Sequence, residues 1–231
     1  MNESGRVEAF SDGVFAIAIT LLILDIKVPL GQGSDLWQAL GREWPSYDAY
    51  VVSFMVIGIM WANHHQVFSY VARVDRTLLF LNLLLLMGVS ALPWATAVVS
   101  DYLRSPHGAD TAVALYGGFM VWHALTFQAL WWWLTRTGHL FDSRVDEAAA
   151  RRTRVRFAVG SVVYPILVGL SFLSAAVTLA LHGLLAVYYA FNQLKVPLKP
   201  GTEDQPDSAP APADPRHPLM AEGPVGEDGA L

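Results

Sequence analysis

The 231-residue sequence contains no cysteine, and charged residues make up only 15% of it. Without cysteine there are no disulfides and no thiolate metal sites, which fits a protein of the cytoplasmic membrane. The scarcity of charge excludes a soluble core wrapped in charged helix faces, because hydrophobic residues reach 54% and the charges gather between long apolar runs. No Ser-His-Asp elbow, phosphate-cradling glycine loop or pair of intramembrane acids occurs, so the sequence is not that of an enzyme built on those chemistries. His64 and His65 are adjacent and point about 100° apart on a helix. No carboxylate or histidine at i, i+4 completes a ligand set, so neither a metal nor a cofactor is expected. Nothing suggests a nucleic-acid partner.

What is present is apolar length. A helix that crosses the hydrocarbon layer needs about 20 apolar residues, since only an internally hydrogen-bonded backbone is tolerated there. The expected fold class is all-α, a polytopic membrane protein with six transmembrane helices in residues 1–194, spanning about 9–28, 47–71, 78–100, 112–134, 152–168 and 172–191. The last two come from dividing one stretch, Phe157 to Phe191, whose 35 residues overshoot a bilayer as one helix at about 1.5 Å per residue. Pro165, Gly169 and Ser171 are the breakers available there. The first helix is expected to be retained rather than cleaved as a signal peptide. Only Arg6 precedes it as a positive residue, Asp12 interrupts its start, and Asp25 stands where cleavage would need small residues. From Pro197 onward Pro, Asp, Glu, Ala and Gly dominate, and 195–231 is expected to be a disordered cytoplasmic tail.

Orientation follows from the 15 Lys and Arg residues. With six spans, one side holds Arg6, Arg73, Arg76, Arg136, Arg144, Arg151, Arg152, Arg154, Arg156, Lys195, Lys199 and Arg216, leaving Lys27, Arg42 and Arg104 opposite, 12 against 3. The positive-inside rule then puts both termini in the cytoplasm.

Polar groups within a span are costly and must face protein, water or a partner. Arg6, Ser11 and Asp12 start the first helix, Asn63, His64, His65 and Gln66 lie near the end of the second, and Asn82 lies just inside the third. All share the cytoplasmic end. They form either a hydrogen-bonded cluster, with Asp12 accepting from neighbouring helices, or an interfacial set wetted by headgroups. The balance favours the cluster for Asp12 and His64, and the interface for His65 and Gln66. Trp131, Trp132 and Trp133 read as an interfacial aromatic belt, and Arg151 to Arg156 as a topology signal that meets anionic headgroups. His123, Gln128 and His182 are lone polar groups, each expected to be satisfied by a backbone carbonyl or a helix partner.

Arg6, then Phe10-Ser11-Asp12 after three intervening residues, opens the apolar run Gly13 to Leu24 that ends at Asp25. This resembles the signature of the transmembrane protein 175 family, and the resemblance extends to Trp61-Ala-Asn-His64, Leu81-Asn82-Leu83 and Leu92-Pro93-Trp94. It covers about the first hundred residues. It implies a potassium-selective channel, embedded in the cell membrane of a prokaryote, that lacks the re-entrant loop and T-V-G-Y-G filter of the usual potassium channels. It also implies a homotetramer in which the first helix of each subunit lines the pore at an aliphatic constriction. Carried over by distance from Asp12, the pore-facing positions are Ile17, Leu21 and Leu24, with Thr20 beside them. Arg6, Phe10, Ser11, Asp12, His64 and Asn82 make the structural polar cluster.

At about 100° per residue, Ile17, Leu21 and Leu24 fit a stripe about 60° wide, and Asp12 lies about 140° from Ile17. Such a ring presents no ligands to a permeant ion, so it gates by dewetting and discriminates by width and hydration, with modest selectivity. Asp25, near the outer mouth, either forms a carboxylate ring that concentrates cations or pairs with Lys27. Two other classes compete: a proton-coupled transporter of small solutes that relays through Asp12 and His64, and a membrane scaffold without conduction.

Overall fold

The computed structural model describes residues 3–27, 35–103, 105, 107–191 and 198–199. The chain divides into Met1–Lys199 and Pro200–Leu231. The second unit lies outside the described residues, as do Val28, Arg104, Lys195 and Arg216 and, with them, most of the expected tail.

Every extended element among the described residues is helical. They are α1 (Glu3–Leu21), continued by a 3-10 turn (Leu22–Asp25), α2 (Leu36–Arg42), α3 (Trp44–Phe68), α4 (Arg76–Tyr102), α5 (Ala109–Thr137), α6 (Glu147–Arg152), α7 (Arg154–Ser171) and α8 (Ala175–Phe191). The starts are set by local chemistry. Asp35, Asp75 and Asp146 precede α2, α4 and α6, and their carboxylates accept from first-turn backbone N–H groups, in α4 from Leu78 at 2.7 Å. Pro45 sits in the first turn of α3, where its missing N–H is not needed. Gly138, at φ 67°, closes α5 in a conformation that few side chains allow.

Three helical segments are long and apolar enough to cross a membrane, Glu3–Asp25, Arg76–Tyr102 and Ala109–Thr137, and Ala158–Ser171 and Ala175–Phe191 are shorter apolar helices. The 157–191 stretch breaks at Phe172–Ser174, while Pro165 remains inside α7. The break is a matter of capping. The N–H groups of Leu173 and Ser174 both donate to the Leu170 carbonyl, at 2.9 and 3.1 Å, and Ser174 Oγ accepts from the Val177 N–H at 3.4 Å to begin α8.

The core lies where α4 meets α1, α3 and α5, and where α5 meets α7. Two glycines permit close approach: a Cβ on Gly88 of α4 would collide with the Trp122 ring of α5, and one on Gly117 of α5 would lie 2.9 Å from Val168 Cγ2 of α7.

The helix ends form two groups. At one end, Trp61 bonds Asp12, the N–H groups of Ala72 and Arg73 donate to the Leu140 carbonyl, Asp142 N–H donates to the Tyr70 carbonyl, and Arg154 Nε donates to Thr135 Oγ1. At the other, Lys27 meets Asp101 at 2.6 Å and Ser46 meets Ser100 at 2.8 Å. The starts of α1, α4 and α7 therefore share an end with the finishes of α3 and α5.

Two expectations need correction. Leu198 and Lys199, placed in the disordered tail, are paired with the α5–α6 loop: Leu198 bridges Val145, and the Lys199 N–H donates to the Arg144 carbonyl at 2.8 Å. Asp142 in the same loop is partly desolvated, yet the Arg144 backbone N–H and guanidinium hold its carboxyl below the usual range. The tryptophan belt also dissolves, because three consecutive residues cannot share a helix face. Trp131 is fully buried and donates to Thr153 Oγ1, Trp133 donates to the Asp75 carboxylate, and only Trp132 is exposed, with Arg136 above its ring.

Candidate pore helix and its polar anchor

From Gly13 onward almost every residue of α1 is apolar, so hydropathy does not mark its faces there; packing does. Ser4, Ser11, Phe15, Ala18 and Leu22 are buried, and their i, i+3, i+4, i+7 spacing puts them on the face toward α3 and α4. The opposite face carries Phe10, Gly13, Ile17, Thr20, Leu21 and Leu24, all exposed in the single chain, Ile17 by 61% and Leu24 by 73%. The 3-10 turn sharpens this. At three residues per turn, Leu24 comes directly above Leu21, and Asp25 above the buried Leu22. Asp25 is accordingly half-buried with Oδ2 unpartnered, turned from the Ile17 face, and Lys27 takes Asp101 instead. The Asp101 carboxylate raises the Lys27 pKa above its ordinary value. Thr20 Oγ1 donates to the Ile17 carbonyl at 2.9 Å, so its proton is committed to the backbone and its lone pairs remain.

Three of the six cluster residues come together. Ser11 Oγ donates to the Val7 carbonyl at 2.8 Å and accepts from Asn82 Nδ2 at 2.9 Å. Asn82 Oδ1 lies 2.8 Å from His64 Nε2. Because an amide oxygen only accepts, Nε2 carries the proton and Nδ1, which has no partner, carries the lone pair. The His64 ring is stacked on Phe68 at 4.4 Å and tilted against Phe15 at 5.4 Å. Ser11, His64 and Asn82 are each no more than 1% exposed. This chain of bonds ties α1 to α3 and α4.

The other three cluster residues lie elsewhere. Asp12, one helical step around from Ser11, accepts from Trp61 Nε1 at 2.9 Å and makes no hydrogen bond to the buried set. Arg6 and Phe10 fall on the exposed face, and Arg6 makes no hydrogen bond or ion pair with a described residue. A second contact was not anticipated: His65 Nδ1 meets Glu8 at 2.7 Å, and the His65 ring stacks on Trp61 at 5.9 Å. The signal was two facing i, i+4 pairs, Glu8 and Asp12 on α1 against Trp61 and His65 on α3. Among the described residues, no group of His, Asp or Glu is placed to hold a metal ion.

The family model described as endosomal/lysosomal potassium channel TMEM175 matches residues 6–93, the segment that holds the Ser11–Asn82–His64 chain and the Asp12–Trp61 and Glu8–His65 contacts. A protein of Streptomyces collinus named as a potassium channel is 70% identical over 200 residues, covering 86% of this chain and 97% of that one. The chain belongs to the TMEM175 family. Its fold resembles the crystal structure of a lysosomal potassium-selective channel TMEM175 homolog from Chamaesiphon minutus, with a TM-score of 0.72 at 39% identity over 81% of this chain and 96% of that one. Among longer TMEM175 members, the chicken protein, named as an endosomal/lysosomal proton channel, is 42% identical over 117 residues, 47% of this chain and 23% of its own.

Proposed function

We propose that the chain is one subunit of a potassium channel in which several copies of α1, four in the simplest closed arrangement, surround the pore. The observation that carries this reading is the division of α1. One face is locked into the protomer through Ser11, Phe15 and Leu22, while Ile17, Leu21 and Leu24 stand exposed and apolar in line. Potassium is the chosen ion because the relative that matches nearly end to end carries that name, whereas the relatives named for protons share only a fraction of their length. Six helices, α1, α3, α4, α5, α7 and α8, span the bilayer of the cell membrane with both termini inside. The grouping of helix ends supports that alternation.

In this reading Ile17, Leu21 and Leu24 form the constriction and Thr20 offers its lone pairs beside it. An aliphatic ring excludes water when narrow and lets a hydrated or partly dehydrated cation through when wide. At the outer end Asp25 stands off the Ile17 stripe beside Leu22 and acts on cations only through its field, so Asp25→Asn should lower potassium current modestly at low ionic strength and have no effect at high salt.

The absence of cysteine gives a clean test. Single substitutions Ile17→Cys, Leu21→Cys and Leu24→Cys should make potassium flux sensitive to cadmium or a methanethiosulfonate reagent, and Ala18→Cys on the packed face should not. Equal insensitivity at all four positions would remove α1 from the pore.

A further inference from the structure

A cavity of about 150 Å³ lies between α3, α5, α7 and α8, away from the exposed face of α1. Met60, Phe127 and Val159 make its walls apolar, yet Asn63, His123, Tyr164 and Tyr189 also line it. None of these four side chains makes a hydrogen bond with a described residue, and His123 Nδ1 is fully buried without a partner. The four come from four different helices. Asn63 and Tyr189 lie towards the helix ends that carry Asp12 and Trp61, so the cavity sits in that half of the span. A second hollow along α3, lined by the exposed Phe54 and Met55, shares Ile59, Asn63 and Tyr189 with the first and opens it between α3 and α8.

At membrane depth an unpaired amide, imidazole or phenol costs several kcal/mol, and a hydrocarbon tail cannot satisfy it. A dry cavity of this volume takes a benzene-sized molecule. Water would satisfy the polar groups but leave the apolar wall uncovered. The occupant that answers both is compact, neutral and amphiphilic, with an apolar body of about six to eight heavy atoms and one hydroxyl or carbonyl.

We propose that this cavity is a binding site for small neutral amphiphiles of the alcohol or phenol type, which enter from the bilayer between α3 and α8. The site does not depend on the channel reading.

The test uses the full chain in nanodiscs and two photolabels of equal size, a diazirine-bearing hexanol and the corresponding hexane, with labelled residues mapped by mass spectrometry. The alcohol should label the cavity residues, unlabelled hexanol should compete it away, and the alkane should label them poorly. Ala186→Phe, which fills the cavity, should abolish this labelling. His123→Phe, which keeps the ring but removes the nitrogens, should weaken alcohol labelling about tenfold, the weight of about one hydrogen bond, and leave the alkane unchanged. Labelling spread over the lipid-facing surface, or equal labelling by alcohol and alkane, would overturn the proposal. So would cavity labelling that hexanol fails to compete in the wild-type protein, a result independent of whether either variant folds.

Discussion

Asn82 joins both ends of the buried chain, donating to Ser11 and accepting from His64. Replacing it with leucine keeps the branched shape but leaves the His64 N–H without an acceptor and takes from Ser11 Oγ its Asn82 donor, in a dry place. Asn82→Leu should therefore cost about 1–3 kcal/mol and loosen α1 from α4. A thermal unfolding series in detergent measures this, and an unchanged midpoint would show that the network carries no weight. The participation of Ser11, His64 and Asn82 was legible in the sequence because each is a polar residue at the same depth in an apolar helix. The exclusion of Asp12 was not. It follows from Trp61 being one turn before His65 on α3, where an indole N–H reaches the carboxylate first. Asp25 was equally hidden, since only the switch from 3.6 to three residues per turn rotates it onto the side of Leu22.

Among the elements, α1 is bounded by what it bonds and α4 by what it touches. Trp122 of α5 donates its N–H to the Leu84 carbonyl at 2.9 Å, and the ring lies where a side chain on Gly88 would begin. Gly88→Ala should therefore lower the thermal midpoint by forcing α4 and α5 apart, at a cost of about 1–3 kcal/mol. Trp122→Leu introduced with it should recover part of that loss. If the double variant is no better than the sum of the singles, the contact is not the cause. The existence of the longer helices α1, α3, α4, α5, α7 and α8 was readable from apolar length. Boundaries were less so: α7 passes through Pro165 and stops at a capping turn, because Ser174 can start a new helix while α7 continues through the proline. α2 and α6 were not expected at all, since seven and six residues are too few to show a hydrophobic period.

For the whole molecule, a single copy leaves Ile17, Leu21 and Leu24 facing outward, and an apolar stripe on one helix cannot itself enclose an ion path. The account requires assembly around α1. Native mass measurement after gentle detergent extraction should give four times the 25.3 kDa chain mass; a monomer as the only species would exclude a central pore shared between subunits. The sequence alone could not choose the pore face, because apolar residues surround α1 on nearly all sides from Gly13 onward. That choice rests on two things that do not depend on hydropathy, the family relationship and the packing of Ser11, Phe15 and Leu22.

Ion flux is the most direct measure of the central claim. Purified protein fused into a planar bilayer with a potassium gradient across it, and sodium as the balancing cation, should pass current that reverses near the potassium equilibrium potential. Introducing asparagine at Leu21 should shift that reversal towards zero by admitting sodium. Absence of current in the wild-type protein, or a reversal that follows the proton gradient and ignores potassium, would contradict the account.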